Sequence, residues 1–303
     1  MKKMRALVIG SVMTDLVVAT DRVPRPGETL RGKSFARHNG GKGANQALAL
    51  ARAGAEVEFI GAVGEDDFGA GALRNLEDAG VGISRCVKVA NAHTGVAMIT
   101  LDTHAENTII IAPGANEALA PHCLDGIRWG DYDAVVLQLE IFPDTIWKAL
   151  REAAPYTTTF LTPAPVRPIP DGVFDCVDYL IPNEHEIAPL APAADGHDNA
   201  GRDVARRTKR GVVLTVGRDG VRWFGRNGES YDVPTPDVVR VDTVGAGDCF
   251  TGYFVHSLGA GLSLRDALAR ACHAAALQVT RHGAQMAIPF AKEVEEFQST
   301  TNC

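Results

Sequence analysis

Short apolar runs alternate along the chain with stretches whose apolar residues recur every three or four positions. The runs at residues 6–9, 57–60, 134–139, 159–161, 179–181 and 212–216 have the length and continuous hydrophobicity of strands buried on both faces. Helical spacing appears at residues 44–53, 69–79, 145–153, 203–209, 248–258 and 264–280. This order predicts an α/β fold with a mostly parallel sheet covered by helices on both faces. Gly10 with Asp15, Glu140, Asn183 and Gly217 each follow an apolar run. In open α/β sheets ligands bind beyond the carboxyl ends of the strands, so these loops are expected to meet at one crevice. Residues 16–35 and 94–112 break the rhythm and look like hairpins, the second turning at Asp102-Thr103-His104-Ala105-Glu106. Segments 12–38 and 94–112 are therefore assigned to a small β lid over the crevice, with an edge extension of the main sheet as the other reading. Residues 189–201, crowded with Pro, Ala and Gly, are expected to form a surface loop.

Composition narrows the class. The 303 residues are 46% hydrophobic and 22% charged, enough for a sizeable core. The net charge of −7, without a Lys/Arg block, argues against nucleic acid as a partner. No apolar run reaches membrane-spanning length, and Met1-Lys2-Lys3-Met4-Arg5 leads into a strand pattern, not a signal peptide. Six scattered cysteines without a C-x-x-C pair are expected to be reduced thiols, the internal five buried, in a cytoplasmic protein. Nine histidines show no metal-site spacing, and His185 and His282, which flank motifs, are expected at the surface or in supporting positions behind the site. Met98 and Trp147 are expected to pack in hydrophobic layers.

Two glycine-rich segments carry the chemistry. In Asp242-Thr243-Val244-Gly245-Ala246-Gly247-Asp248, two glycines precede an acid where a helical pattern begins. A helix N-terminus with its free N–H groups is an anion site. An acid placed there suits a base that removes a proton from a hydroxyl while the amides hold a transferring phosphoryl group. Asp248 also reads as an ordinary helix cap. The second segment, Gly40-Gly41-Lys42-Gly43-Ala44-Asn45-Gln46-Ala47, is not a P-loop, because Gly43 follows Lys42. Its glycines allow close backbone approach, and Asn45 offers a donor and an acceptor, as sugar hydroxyls require.

Together these segments resemble the two signature regions of the PfkB family of carbohydrate kinases, in its ribokinase branch. Further similar pieces are Pro26-Gly27-Glu28-Thr29, Pro113-Gly114-Ala115-Asn116, Gln138-Leu139-Glu140, Pro163-Ala164-Pro165, Pro182-Asn183-Glu184 and Thr280-Arg281-His282-Gly283-Ala284-Gln285. The resemblance covers nearly the whole chain. It implies one Rossmann-like kinase domain over residues 1–303 with a β lid, ATP as phosphoryl donor, Mg²⁺, and a homodimer that pairs lids. It implies Asp248 as general base acting on the 5-hydroxyl of a pentose, and Gly245, Ala246 and Gly247 as anion hole. Asp15, Gly41, Lys42, Gly43, Asn45 and Glu140 match sugar-contacting positions. Asn183 and Glu186 match positions near the phosphates and Mg²⁺, the latter through water, while Asn183 as a turn cap with a surface Glu186 is the alternative. Thr215, Gly217 and Gly220 match the nucleotide turn. Asp242, Val244, Gln278, Arg281 and Gly283 match ligands of a monovalent cation, K⁺ in the family.

Three positions depart from the pattern. Met13 replaces an asparagine whose amide faces the sugar. A thioether cannot satisfy a hydroxyl, so Met13 points to 2-deoxy-D-ribose as a good substrate, or else fills space beside a ribose pocket. Thr162 replaces a common asparagine, and Ala287 replaces a serine that commonly supplies a hydroxyl to the cation. Other acceptors within the family, a nucleoside or a ketose, remain open. A dinucleotide-dependent dehydrogenase is disfavoured by the missing G-x-G-x-x-G after the first strand, and a non-catalytic sugar sensor by the presence of Asp248 and its glycines.

Overall fold

The computed structural model describes residues 3–103, 107–170 and 172–301. In chain order the strands are β1 (Arg5–Ile9), β2 (Met13–Ala19), β3 (Ser34–Gly40), β4 (Glu56–Ile60), β5 (Ala62–Gly64), β6 (Val87–Val89), β7 (Gly95–Leu101), β8 (Asn107–Ala112), β9 (Ala134–Gln138), β10 (Thr158–Thr162), β11 (Tyr179–Leu180), β12 (Gly211–Thr215), β13 (Val221–Gly225) and β14 (Ser230–Val233). The helices are α1 (Lys42–Ala53), α2 (Asp67–Asp78), α3 (Pro143–Ala153), α4 (Glu184–Ile187), α5 (Gly196–Ala205), α6 (Ala246–Gly259), α7 (Leu264–Gln278) and α8 (Ala291–Thr301).

The main sheet has eight strands in the order β14-β13-β12-β11-β10-β9-β1-β4. The run from β4 to β12 is parallel and the β13 and β14 edge is antiparallel. Alternation along each strand splits the core in two. Ala6, Val8 and Val136 face a cluster shared with α1, α2, α6 and α7, whereas Leu7, Ile9 and Leu137 face one shared with α3 and α5. The mostly parallel, doubly covered sheet expected from the apolar runs is thus the observed one. A separate four-stranded sheet, β3-β2-β7-β8, uses the two segments that broke the helical rhythm. Residues 104–106 of its expected turn lie outside the described residues, as does Cys303. Among the described residues no helix is long and apolar enough to cross a membrane.

Several expectations are corrected. The helix expected at residues 203–209 runs instead over Gly196–Ala205, so the expected loop at 189–201 already contains its first turns. The apolar stripe that selects it is Ala200, Val204 and Ala205, and beyond it the Lys209 N–H turns away to Val177 to feed β12. The hairpin of β13 and β14 and the terminal helix α8 were not foreseen. Met98 does not pack in a layer: it is 60% exposed on the small sheet, while Trp147 is buried. Of the five internal cysteines, Cys249 and Cys272 are buried but Cys86, Cys123 and Cys176 are half-exposed, and all five are free. His185 and His282 are exposed as expected.

Two helices position the site. α1 is rich in alanine, a strong helix former, and ends at Gly54 in the left-handed conformation. α6 is buried on most sides, because it lies between α1 and α7. The two approach closely at Gly252. A Cβ there would stand 2.4 Å from the Ala49 Cβ and 2.8 Å from the Leu50 nitrogen. This contact lies one turn below Asn45 on α1 and Asp248 on α6, so it sets the spacing between those side chains. Gly252→Ala adds a methyl that the α1 backbone must move to accept. The expected outcome is a net loss of about 1–3 kcal/mol despite alanine's better helix propensity, seen as a Tm lower by several degrees in calorimetry. An unchanged or raised Tm removes Gly252 as the spacer.

Candidate active site

Most polar residues of the site lie at or just beyond the C-terminal end of a main-sheet strand or at a helix N-terminus facing those ends; Asp15, on β2 of the small sheet, and Gln285, after α7, come from elsewhere. Ser11 follows β1, Gln138 closes β9 with Glu140 two residues on, Thr162 closes β10, Asn183 follows β11 and Thr215 closes β12. Opposite them α1 and α6 begin at Lys42 and Ala246. The parallel run of the sheet is what brings these distant segments together.

The turn into α1 is held by packing of chain against chain. The Ser11 carbonyl accepts the Ala44 N–H at 2.9 Å, and the Ser11 hydroxyl donates to Glu140 at 2.5 Å. The Lys42 N–H donates to the same Glu140 oxygen at 2.9 Å. A Cβ on Gly43 would lie 2.5 Å from the Ser11 nitrogen. Gly43 therefore makes room for the β1 loop, a different use of its small size from the close approach to a ligand expected of it. Ser11 was missed in the sequence, where nothing but its place after the first strand marked it.

Asp248 sits on the third residue of α6, only 6% exposed. Asn45 Nδ2 donates to its Oδ2 and Gln46 Nε2 to its Oδ1, both at 2.9 Å. Asn45 thus bonds the acid itself, and its own oxygen accepts from Gln285 at 3.0 Å. Gln46, Gln138 and Gln285 were visible in the quoted motifs, but no periodicity or spacing revealed that they meet.

Three carboxylates, Glu140, Glu186 and Asp248, act on the Lys42 amine, and Asp15 feels two of them. Asp15 lies on β2, and burial first, then the charges of Glu140 and Asp248, push its carboxyl up to about 6. Burial likewise raises Glu140, against the pull of Lys42 and the hydrogen bonds from Ser11 and the Lys42 N–H. Burial alone would lower Lys42, yet Asp248, Glu140 and Glu186 together hold it above its ordinary range. Met13 is buried, belongs to neither apolar cluster of the core, and shares a face of β2 with Asp15.

Two connected cavities open here. The smaller, about 220 Å³, is lined by Lys42, Thr162, Glu186, Gly245 and Asp248, among others. The larger, about 620 Å³, runs along Gly217, Gly220, Val221, Phe250 and Ala276. Asn183, Thr215, Thr243, Ala246 and Gly247 line both. The first turn of α6 is therefore the wall between a small polar chamber and a long, partly apolar one.

Asn183 and Glu186 combine the two readings given to them. Asn183 caps α4, accepting from the N–H groups of His185 and Glu186, while Glu186 accepts from the Asn183 N–H and side chain, each at 2.9 Å. Yet Glu186 is part-buried on the smaller cavity, and burial raises its carboxyl. Each of its oxygens keeps a lone pair for a metal-bound water, so the pair fits Mg²⁺ beside phosphates.

The expected monovalent-cation ligands also cluster. Asp242 accepts from the Gly283 N–H at 2.9 Å and the Val244 N–H at 3.0 Å. Gln278 Nε2 donates to the Val244 carbonyl at 3.0 Å and the Ala284 carbonyl at 3.3 Å, leaving its buried Oε1 without a partner. The Arg281 N–H donates to the Gln278 carbonyl, and its guanidinium pairs with Glu293 at 2.6 Å. Ala287 is buried and offers no oxygen. A buried amide oxygen without a partner is a group that a cation could satisfy.

A family model described as pfkB family carbohydrate kinase matches residues 3–291. A ribokinase of Schizosaccharomyces pombe is 36% identical over 305 aligned residues, covering 95% of this chain and 96% of the relative. A deoxyribokinase of Salmonella typhimurium is 34% identical, covering 96% and 98%. The solved structure of Arabidopsis thaliana ribokinase complexed with ribose and ATP superposes with a TM-score of 0.88 at 29% identity, covering 98% of this chain and 99% of that one.

Asp15 has a direct consequence for stability. An acid of ordinary pKa 3.8 that rises to about 6 on folding holds its proton more tightly in the native state. Stability therefore falls as pH rises between these values, and the penalty is complete above about 6. Asp15→Asn removes it. The variant is expected to melt several degrees higher than the parent at pH 8 and to lose most of that advantage by pH 4. A gain independent of pH, or none, contradicts this account.

Proposed function

The chain belongs to the pfkB family of carbohydrate kinases, and from that premise we propose that it transfers the terminal phosphoryl group of ATP to the 5-hydroxyl of a pentose, 2-deoxy-D-ribose or D-ribose. The observation that carries this reading is the shared wall: a buried carboxylate and the N-terminus of its helix stand where a small polar chamber meets a longer cavity. The ribokinase and deoxyribokinase relatives, and the ribose and ATP in the Arabidopsis structure, support the two occupants.

The sugar sits beside Asp15, Lys42, Asn45 and Glu140, of which Lys42 also lines the smaller cavity together with Asp248. Carboxylates accept hydrogen bonds from adjacent hydroxyls, so Asp15 and Glu140 orient the ring. ATP lies along Thr215, Gly217 and Gly220 with its phosphates toward Asn183 and Gly247. Asp248 takes the hydroxyl proton as the oxygen attacks phosphorus, and N–H groups of Gly245, Ala246 and Gly247 stabilise the charge on the phosphoryl oxygens. Glu186 would hold Mg²⁺ through a water, and Asp242, Val244, Gln278, Arg281 and Gly283 would hold K⁺; these ions supply positive charge near the phosphates. The small sheet acts as a lid that excludes water.

Met13 favours the deoxy sugar. It shares a strand face with Asp15, and a hydroxyl pressed against its thioether loses about 1–3 kcal/mol for want of a partner. A CH₂ loses nothing there.

A coupled assay of ADP release with ribose, 2-deoxyribose, fructose and adenosine tests the reading. The pentoses are expected to be the best acceptors. Asp248→Asn is expected to lower kcat by about 10²–10⁴-fold or more. Met13→Asn is expected to shift the kcat/KM ratio toward ribose, and K⁺ to give higher rates than Na⁺. An Asp248→Asn protein as fast as the parent sinks the mechanism. An unmoved sugar ratio sinks the Met13 argument, and equal rates in both salts sink the cation site.

The lid also suggests the assembly. One face of the small sheet carries Val18, Phe35, Met98 and Ile110, exposed by 39%, 66%, 60% and 67%. Leu16 pairs with Met98 and Met98 with Ile110, so the apolar side chains are contiguous on that face. The homodimer through the lid buries this face against its copy. Sedimentation velocity is expected to show a dimer for the parent and a monomer for Met98→Asp; a monomeric parent removes the proposal.

A further inference from the structure

The acid at the shared wall is the end of a chain of side-chain amides that, Asn45 aside, the proposed mechanism leaves unused. On one side Asn75 Nδ2 donates to Gln285 Oε1 at 2.7 Å, Gln285 Nε2 to Asn45 Oδ1 at 3.0 Å, and Asn45 Nδ2 to Asp248 Oδ2 at 2.9 Å. On the other, Gln138 Nε2 donates to Gln46 Oε1 at 2.6 Å, and Gln46 Nε2 to Asp248 Oδ1 at 2.9 Å. Gln46 and Gln138 are fully buried, and Asn45 and Gln285 nearly so. Asn75, on α2, is half-exposed.

A primary amide has two ends of similar shape and opposite polarity. Rotated by half a turn, Asn45 or Gln46 would present an oxygen to a carboxylate oxygen, which is repulsive at low dielectric. The carboxylate opposes that rotation from one end and the far-end partner from the other, and Gln46 Nε2 also reaches Thr162 Oγ1 at 3.3 Å. Each link here points its donor inward, so the orientation at Asn75 is passed through Gln285 to Asn45, while Gln138, whose buried Oε1 has no partner, holds Gln46 by its Nε2 donation alone. With one amide on each oxygen, the plane of the Asp248 carboxylate is also fixed.

We propose that Asn75, Gln285 and Gln138 are positioning residues, forming a relay that keeps amide donors facing the Asp248 carboxylate and so presents it to the acceptor hydroxyl in one orientation. The inference rests on the reading of Asp248 as the base. It differs from a merely stabilising role for buried polar groups in one respect: polarity matters, not only presence. A change to an acceptor-only side chain at Asn75 draws Gln285 Nε2 outward. That turns Asn45 Nδ2 toward Gln285 and leaves Asn45 Oδ1 against the acid.

The test compares Asn75→Asp with Asn75→Ala. Asn75→Asp is expected to lower kcat about tenfold or more, because small errors in catalytic geometry are costly, with KM for ATP within about twofold. The acidic limb of its kcat profile is expected to move to higher pH. Asn75→Ala, which removes the outer partner without reversing it, is expected to lose less and to keep the profile nearly in place. In ¹⁵N–¹H spectra the side-chain NH₂ resonances of Asn45 are expected to move in Asn75→Asp, and those of Gln46 to stay. Equal kcat and pH profiles in the two variants, or Asn45 resonances unmoved in Asn75→Asp, overturn the relay. Should the parent phosphorylate no pentose, the functional reading fails by itself, and the spectra still decide whether the amide chain turns as a unit.

Discussion

The structure depends on two helices beginning at the same place. α1 and α6 come from segments about two hundred residues apart in sequence, yet Asn45 and Gln46 of the first reach both oxygens of Asp248 on the second. That contact requires backbones close enough for short side chains to span the gap. The small residues Ala49 and Gly252 provide this one turn below. A carboxylate buried between helices is unfavourable unless both its oxygens are paired, and here the pairing groups are neutral amides. They satisfy both oxygens of the acid without adding a charge, whereas a guanidinium in their place would hold it as a structural ion pair.

The same economy runs through the surrounding charges. Asp15, Glu140, Asp248 and Glu186 outnumber Lys42 in a small volume, and burial pushes three of them up. Such an arrangement is poor for stability and good for hydroxyls, which donate to carboxylates. It also explains how a chain of net charge −7 can receive a polyanion. Positive character is local: the first turn of α6, Lys42, and Arg218 and Arg240 on the larger cavity supply it, and not a basic surface.

Much of this was legible in the residues. The main sheet follows from continuous apolar runs, because strands buried on both faces have few other compositions. The two glycine-rich segments and the acids after β1, β9 and β11 marked the crevice. What was not legible has physical reasons. α5 was misplaced because Gly196 and its neighbours have weak helix propensity and only the buried stripe at Ala200 and Val204 selects the helix. Met98 was expected inside because an alternating strand does not say which of its faces is covered. Ser11, Gln46, Gln138 and Gln285 carry no charge and no rare chemistry; their importance lies in who meets whom across the sheet, and a linear pattern does not encode that.

The common wall between the two cavities has a thermodynamic consequence. Asn183, Thr215, Thr243, Ala246 and Gly247 line both spaces, so two molecules bound in them would meet the same surface. Linkage then demands symmetry: whatever tightening the acceptor confers on the donor nucleotide, the nucleotide must return to the acceptor in the same ratio.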